Sequence, residues 1–309
     1  MTLINPPLLT HGGTHEARAF RMMIRDLARG SQGVTEGDDL KVRQLATPGA
    51  GVRVVDGSAV IRGAAWGQGS YTQYNVGDSI VQIAPTSSGP RSDLVCLRVE
   101  DPEYEGTRSP ETDQIGYFHV VSNVPSGSTT PPAGMTAIPL ARLDIPANTA
   151  VITDAMVKDV RRIANPRRER RLYTSFPGSS STLTYSDNKW HNWPAAARWS
   201  IAVPPWAASA KLVTTFAGLR MSSADVYAKM QNVFGTVHGQ DTAIDDDQGY
   251  NIRRSTVVLA DSIGIPASLR GTTQTLYVQT YMAKSETGDL SVDSATSLIA
   301  DIEFTEGVV

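Results

Sequence analysis

Four of the five tryptophans lie between positions 190 and 206, and two of these stand among polar residues. Trp190 and Trp193 flank His191 and Asn192 in a segment whose composition is that of a loop. An exposed indole offers an apolar face on which a sugar ring stacks, and neighbouring polar groups can bond its hydroxyls. The segment is therefore the candidate glycan-binding site. We favour the alternative interpretation, in which both rings fill the core of a β-sandwich.

The densest group of charge is a set of six arginines within eleven residues: Arg161, Arg162, Arg167, Arg168, Arg170 and Arg171. A guanidinium group binds phosphate or carboxylate with paired hydrogen bonds, so the cluster could contact nucleic acid or an acidic protein surface. A platform for single-stranded nucleic acid would interleave aromatic residues, which this segment lacks. The net charge of −3 also opposes a general nucleic-acid binder. The pattern favours assembly contacts with another protein or another copy of this chain.

The motifs for metal binding and catalysis are incomplete. His11 and His15 are four residues apart, but two glycines separate them and the H-E-x-x-H order is missing. The acidic run at 245–247 could hold calcium, although its ligand order departs from that of an EF-hand loop. The sequence contains no G-x-S-x-G and no P-loop motif. We therefore predict a non-enzymatic protein without a metal or cofactor.

Short alternations of apolar and polar residues, separated by Gly, Pro, Ser and Asn, predict many short β-strands. We predict a mainly β protein whose N-terminal antiparallel β domain covers residues 1–164 and carries two short helices. An Arg-rich linker follows over residues 165–171, and a C-terminal β-sandwich domain covers residues 172–309. The clearest strands of the second domain are expected at 198–203, 210–219, 226–234, 252–260, 272–283 and 298–304.

The two predicted helices, at 14–29 and 154–164, are amphipathic. In the first, the apolar residues at i, i+3, i+4 and i+7 are Phe20, Met23, Ile24 and Leu27. Residues 156–163 show a similar stripe. A helix this short needs a surface on which to bury its stripe, and that surface could be the following sheet or a neighbouring subunit.

The expected cellular location follows from two kinds of segment that we do not find in the sequence, a secretory signal and a membrane span. The first thirteen residues have neither the basic start nor the long apolar run of a secretory signal. No stretch approaches the roughly 18 apolar residues of a membrane span. The single cysteine, Cys96, excludes an internal disulfide and lies in a predicted buried strand. We expect synthesis in a cytoplasm and no membrane insertion, which also suits a virion component that is released by lysis.

Three stretches of the N-terminal half carry a resemblance to a known family. They are VVDGSAVIRG at 54–63, PRSDLVCLRV at 90–99, and LARLDIP at 140–146, which is followed by ITD at 152–154 and VRR at 160–162. In order and spacing they resemble the N-terminal domains of minor tail proteins from long-tailed bacteriophages that infect actinobacteria. Some of those proteins are related to upper baseplate proteins. The resemblance covers about residues 1–171, and the C-terminal half is similar only as a variable β-sandwich.

The resemblance implies a structural role at the distal end of the phage tail. It implies a virion location, other tail-tip proteins as partners and a homotrimeric assembly. In this arrangement the N-terminal domain attaches to the tail, and the C-terminal domain faces the host or other tip proteins. The alternative, from a different functional class, is an adhesin that binds host cell-wall glycan or a receptor through the C-terminal sandwich. Both functions could coexist in one chain.

Overall fold

The computed structural model describes residues 7–184, 186–284 and 287–309, and the chain divides into two compact units. The N-terminal unit runs to Pro166 and also includes Val308 and Val309, whereas the C-terminal unit contains residues 167–307. Both units consist mainly of antiparallel β-sheets, which confirms the predicted fold class. No helix among the described residues is long and apolar enough to cross a membrane.

The N-terminal unit contains one α-helix and three small sheets in the part of the chain that the structure describes. The sheets have the strand orders β1-β4-β5, β2-β3-β6 and β10-β9-β7-β8. The elements are α1 (Ala17–Leu27), β1 (Gly33–Val34), β2 (Val42–Gln44), β3 (Gly51–Val54), β4 (Gly57–Arg62), β5 (Ser70–Asn75), β6 (Ser79–Gln82), β7 (Arg91–Val99), β8 (Gly116–Val121), β9 (Ala137–Ile145) and β10 (Val157–Asp159).

The main N-terminal core forms where aliphatic side chains from all three sheets meet. Val54, Ile61, Leu97 and Leu143 are among its buried members. Cys96 points to the other face of β7, into a smaller apolar cluster, and burial raises the pKa of its thiol to about 12. The thiol is therefore neutral at physiological pH, and Cys96 packs as the small apolar side chain that the sequence predicted.

The charged residues of the R-x-D-L-V stretch form an internal clamp. Asp93 is fully buried and accepts hydrogen bonds from Arg91 Nε at 2.8 Å and from the Asn123 backbone N–H at 2.9 Å. Arg91 Nη2 also donates to the carbonyl oxygen of Ala84 at 2.6 Å. Residues two apart on a strand share one face, so the R-x-D spacing brings the pair together and joins the start of β7 to two loops.

The same i, i+2 pairing recurs elsewhere in the N-terminal unit. Arg142 Nε lies 2.8 Å from Asp144 Oδ1 on β9, and Arg161 Nη2 lies 2.7 Å from Asp159 Oδ2 just after β10. The Arg161 side chain is completely buried and also donates to the carbonyl oxygens of Asp39 and Val309. The Arg161 side chain thus ties the segment before β2 and Val309 to the region after β10.

The predicted second helix at 154–164 is wrong. A 3₁₀ turn at Asp154–Met156 leads into β10, which pairs with β9 so that Val157 lies opposite Leu143. An α-helix separates residues i and i+2 by about half a turn, so it could not bring Arg161 onto Asp159. The extended chain makes that buried pair, and Asp154 accepts a hydrogen bond from the Gln44 backbone N–H at 2.7 Å.

The segment around Gly57 also differs from a simple hairpin, because β3 and β4 belong to different sheets. The chain here passes against the segment before β2, where Leu40 N–H donates to the carbonyl oxygen of Asp56 at 3.1 Å. Gly57 has φ of 146°, and a Cβ atom at this position would lie 2.6 Å from Asp39 Cα. Glycine is therefore required by the close approach of the two backbones.

The C-terminal unit is a sandwich of two antiparallel sheets. Its strands are β11 (Arg168–Ser175), β12 (Ser181–Thr182), β13 (Trp190–Asn192), β14 (Arg198–Ala202), β15 (Ala207–Ser222), β16 (Val226–Phe234), β17 (Val237–His238), β18 (Thr242–Asp246), β19 (Arg253–Gly264), β20 (Thr273–Met282), β21 (Asp289–Val292) and β22 (Ser297–Glu306). The β15 sheet has the order β11-β22-β15-β21-β12, with β19 also paired to β15. The β20 sheet has the order β13-β20-β16-β17, with β14 on β20 and β18 on β16.

A single hydrophobic core lies between the two sheets. Phe216 and Phe304 from the β15 sheet join Phe234 and Leu276 from the β20 sheet, and the Phe234 and Phe304 ring centroids are 6.3 Å apart. Trp199 also lies in this core, as its place in an alternating strand predicted. Burial of alternate residues fixes the register, because a slip of one position would turn every core side chain outward.

The predicted Arg-rich linker at 165–171 is wrong from Arg168 onward, because β11 begins there and pairs with β22. Along β11 the exposed Arg168 and Arg170 alternate with the partly buried Glu169 and Arg171. The carboxylates of β22 lie beside the arginines and offset the charge, so the segment forms an edge strand instead of a flexible connection.

Candidate binding surfaces

Helix α1 is held to its own unit mainly by basic side chains. Arg21 Nε donates to the carbonyl oxygen of Gln68 at 2.9 Å, and Arg21 Nη2 lies 2.7 Å from Glu103 Oε2. The Arg21 guanidinium carbon also lies 5.5 Å from the Tyr71 ring centroid. Arg18 forms an ion pair with Glu103, and its hydrogen bond holds the pKa of that carboxyl below its usual range.

The predicted apolar stripe of α1 remains largely on the surface. Leu27 is 72% exposed and Phe20 is 42% exposed, whereas Met23 and Ile24 are partly buried. The small side chain of Ala19 is buried. The helix is thus docked on its own unit without burial of Phe20 or Leu27, and these two side chains remain available to a partner.

The predicted glycan loop is a strand. β13 pairs with β20, so that Trp190 lies opposite Tyr281 and Asn192 opposite Gln279. The outer side chains of β20 at 277, 279 and 281 are partly exposed, whereas its inner side chains at 276, 278, 280 and 282 are buried. Trp190 and Asn192 therefore belong to the outer face of the β20 sheet, as alternation along a strand requires.

The other two predicted residues are turned away from that face. Trp193 is only 7% exposed, lies in the sandwich core and donates from Nε1 to Ser181 Oγ at 3.2 Å. His191 lies opposite the buried Thr280, and its Nε2 is 2.9 Å from Asp187 Oδ1. That hydrogen bond holds the pKa of Asp187 below its usual range. The core interpretation is thus right for Trp193, and the structure brings only Trp190 and Asn192 together on the surface.

Trp190 shares the outer face of the β20 sheet with two tyrosines, and one of them contacts its ring. The ring centroids of Trp190 and Tyr281 are 5.8 Å apart and their planes are tilted by 49°. The Tyr281 hydroxyl donates to Asn188 Oδ1 at 3.0 Å, which fixes the ring. Tyr277 lies four residues away on the same face of β20, with the Arg198 guanidinium 5.4 Å from its ring centroid.

A row of amides crosses the same face. Gln231 Nε2 donates to Gln279 Oε1 at 3.0 Å, and Gln279 Nε2 donates to Asn192 Oδ1 at 3.0 Å. The three residues stand side by side on β16, β20 and β13. The bonds give each amide a fixed orientation, and Asn192 at the end of the row is exposed.

Charge on this face is locally compensated. Lys229, opposite Tyr281 on β16, has its Nζ 3.0 Å from Asp241 Oδ2. Their hydrogen bond raises the pKa of Lys229 and lowers that of Asp241. The face is therefore composed of rings and amides, with the Lys229–Asp241 ion pair beside Tyr281 and the Arg198 guanidinium beside Tyr277.

Sequence reasoning missed Tyr277, Gln279 and Tyr281 as members of a surface, and it missed the buried Gln231 that supports them. A signal for three of them was available, because the YVQTY run at 277–281 alternates polar or aromatic residues with core residues. Their proximity to Trp190 depends on the strand register and could not be deduced from spacing along the chain.

The six arginines do not form one surface. Arg161 is buried in the N-terminal unit and is excluded as an assembly contact, whereas Arg162 is exposed there. The other four belong to the C-terminal unit, where each has an acidic neighbour: Arg167 with Glu306, Arg168 with Glu303, Arg170 with Asp301, and Arg171 with Glu169. Arg167 also lies 5.5 Å from the Trp206 ring centroid. An assembly role for the exposed arginines stays a prediction.

The acidic run at 245–247 does not gather ligands around one point. Asp246 Oδ1 accepts a hydrogen bond from Arg253 Nε at 2.6 Å, so this carboxylate is neutralised within the chain. No group of three or more His, Cys, Asp or Glu residues is placed to hold a metal ion anywhere in residues 7–184, 186–284 and 287–309.

No protein-family model matches the chain, and no curated protein is similar to it. Among solved structures, a VP2 subviral particle of infectious bursal disease virus is 12% identical, with 90% of this chain and 75% of that chain covered and a TM-score of 0.28. The Cry4Aa toxin of Bacillus thuringiensis is 8% identical, with 90% and 54% covered and a TM-score of 0.25. Scores this low carry no argument about fold or function.

Proposed function

We propose that this protein is a structural subunit of a bacteriophage tail tip and that it assembles as a homotrimer through α1. The observation that carries the proposal is the exposed apolar stripe of this helix. Ion pairs and stacked guanidinium groups hold α1 in place, so its orientation does not depend on burial of Phe20 or Leu27. A rigidly held helix with an exposed apolar stripe is suited to a permanent contact between copies of the chain.

The residues that resemble the phage family support a scaffold role. The R-x-D pair on β7 and the arginine that follows β10 make internal bonds to loops and chain ends. Side chains used in this way hold a shape and are not available to act on a substrate. The proposal therefore assigns no catalysis, no metal and no cofactor to the chain.

Other tail-tip proteins are the proposed partners in the virion. The exposed arginines of β11 already face acidic residues of β22, and these charges together form a mixed ionic strip on one edge of the sandwich. Such a strip suits a contact with an oppositely patterned protein surface, where desolvated arginine–carboxylate pairs give specificity. Nucleic acid is disfavoured as a partner because the strip includes carboxylates.

Localisation in purified particles tests the proposed function. Antibodies against the full chain are applied to particles of the phage that encodes it, and bound gold is observed by electron microscopy. We expect label at the distal end of the tail, and we expect the chain among the proteins of the purified particle. A chain that is made during infection but is absent from purified particles would overturn the proposal.

A further inference from the structure

We propose that the outer face of the β20 sheet is a binding site for a neutral saccharide. The site is formed by Trp190, Tyr277 and Tyr281 as stacking surfaces and by Asn192 and Gln279 as hydrogen-bonding groups. Gln231 is buried behind them and orients Gln279. It lies wholly within the C-terminal unit, and the argument for it does not depend on the tail-tip role.

The aromatic side chains supply flat apolar surfaces at two places along β20. Tyr277 and Tyr281 lie on one face of the strand, and the rise along a strand separates their Cα atoms by about 13 Å. Trp190 lies against Tyr281 and widens the platform at that end. Two separated platforms suit a chain of sugar rings better than a single small molecule, because successive rings can stack at both ends.

The amides lie between these platforms and are already oriented. Each of Gln231 and Gln279 donates to the next amide in the row, so the row behaves as one unit that ends at the exposed Asn192. An amide both donates and accepts, as does a sugar hydroxyl, and a fixed row has little side-chain entropy left to lose on binding. This preorganisation distinguishes the face from a set of unrelated polar side chains.

The charge at the Tyr281 end of the face is balanced, which suits a neutral ligand. Lys229 is paired with Asp241 there, whereas the Arg198 guanidinium lies over the Tyr277 ring at the other end. The outer face of the β15 sheet has a different composition, since it carries the Arg168 and Arg170 ion pairs and exposed aliphatic residues such as Leu172. The combination of rings and amides is thus confined to one face of the sandwich.

Binding of the full chain to defined glycans tests the site. The probes are arabinogalactan and a linear neutral β-glucan, and binding is measured by titration calorimetry together with tryptophan fluorescence. We expect at least one probe to bind and to perturb the fluorescence, because Trp190 lies on the platform. Tyr281→Ala and Gln279→Ala should each weaken that binding about tenfold, the effect of one stacked ring or one fixed polar contact.

Two further variants separate a ligand contact from a fold defect. Tyr281→Phe keeps the ring and should bind within about threefold of the wild type if stacking dominates. Leu172→Ala changes an exposed residue on the opposite sheet and should leave binding unchanged. Thermal melting confirms that all variants are folded. Absence of wild-type binding to every probe at millimolar concentration would overturn the proposal, and so would equal weakening by Leu172→Ala and Tyr281→Ala.

Discussion

The two units of this protein differ in what they leave on the surface. The N-terminal unit uses arginine–carboxylate pairs inside the fold and exposes aliphatic and aromatic side chains on α1, such as Leu27 and Phe20. The C-terminal unit has one core between its two sheets and exposes rings and amides on the outer face of the β20 sheet, while scattered apolar residues such as Leu172 are exposed on the β15 sheet.

This difference separates two kinds of contact. An exposed apolar helix is costly to leave in water and favours a permanent neighbour, since burial of one large side chain is worth about 1.5–3 kcal/mol. A face of fixed amides and rings is stable when it is exposed to water, and it favours reversible binding of a polar ligand. We therefore assign assembly to the first unit and ligand recognition to the second.

The largest expected effect comes from the clamp inside the N-terminal unit. Asp93→Asn leaves the Arg91 guanidinium without its carboxylate partner in a largely buried site, and removal of one partner from such a pair costs about 3–5 kcal/mol. Urea unfolding of the full chain, monitored by circular dichroism, measures the change.

A matched pair in the C-terminal unit provides the control. Asp301→Asn removes the partner of Arg170, whose side chain is 69% exposed, and should cost less than about 1 kcal/mol. If Asp93→Asn is no more destabilising than Asp301→Asn, the contrast between an internal clamp and a surface pair is wrong.

The second effect is on association. Replacement of Phe20 and Leu27 by serine removes the exposed stripe of α1 and should weaken trimer formation by more than about 100-fold, from the loss of two buried apolar side chains per copy. Light scattering should show about three times the 33.2 kDa chain mass for the wild type, and a monomer for the variant at the same concentration.

Leu172→Ser is the control for this experiment, because Leu172 is 66% exposed but lies in the other unit. It should leave the trimer intact. A wild-type chain that stays monomeric at micromolar concentration, or a trimer that survives in the double variant, would contradict assembly through α1.

A smaller effect is expected from the arginines of β11. Arg168→Ser with Arg170→Ser removes two surface ion pairs and should change the free energy of unfolding by less than about 1 kcal/mol. We expect fewer assembled particles when this variant replaces the wild type during infection. Normal particle yield would show that the strip is only a solvated edge of the sheet.

The smallest effect is the pH dependence of the α1 contact. The Arg18 hydrogen bond depresses the pKa of Glu103 in the folded chain, so the stabilisation is present above the unfolded value of about 4.5 and is lost as the pH falls through the lower folded value. Hydrogen exchange in α1 should accelerate below about pH 4.5 relative to the sheets. Glu103→Gln should remove this pH dependence. If the exchange of α1 depends on pH in the variant as it does in the wild type, the ion pair does not have this role.

The sequence predicted the strands well where alternation and turn residues agreed. β16 was located to the residue, because it lies between clear turn signals. The helix predicted at 154–164 failed because pairing of β10 with β9 overrides the helical spacing of the apolar residues. The deciding interaction, the burial of Arg161 on Asp159, depends on tertiary contacts.

The candidate surfaces were less predictable than the strands. Trp190 and Asn192 were identified from composition, but Trp193 looked equivalent until the register with β20 placed it in the core. Gln231 and Gln279 join Asn192 only through the pairing of three strands that are distant in sequence. The apolar stripe of α1 was predicted correctly. Its exposure could not be predicted, because it depends on the ion pairs that hold the opposite side of the helix to its own unit.

An electron cryomicroscopy map of the tail tip, from a particle that contains this chain, tests the central claim most directly. The account predicts three copies around the tail axis, with Phe20 and Leu27 of each α1 buried in a contact between copies. A map with a single copy of the chain, or with α1 facing solvent in every copy, would contradict it.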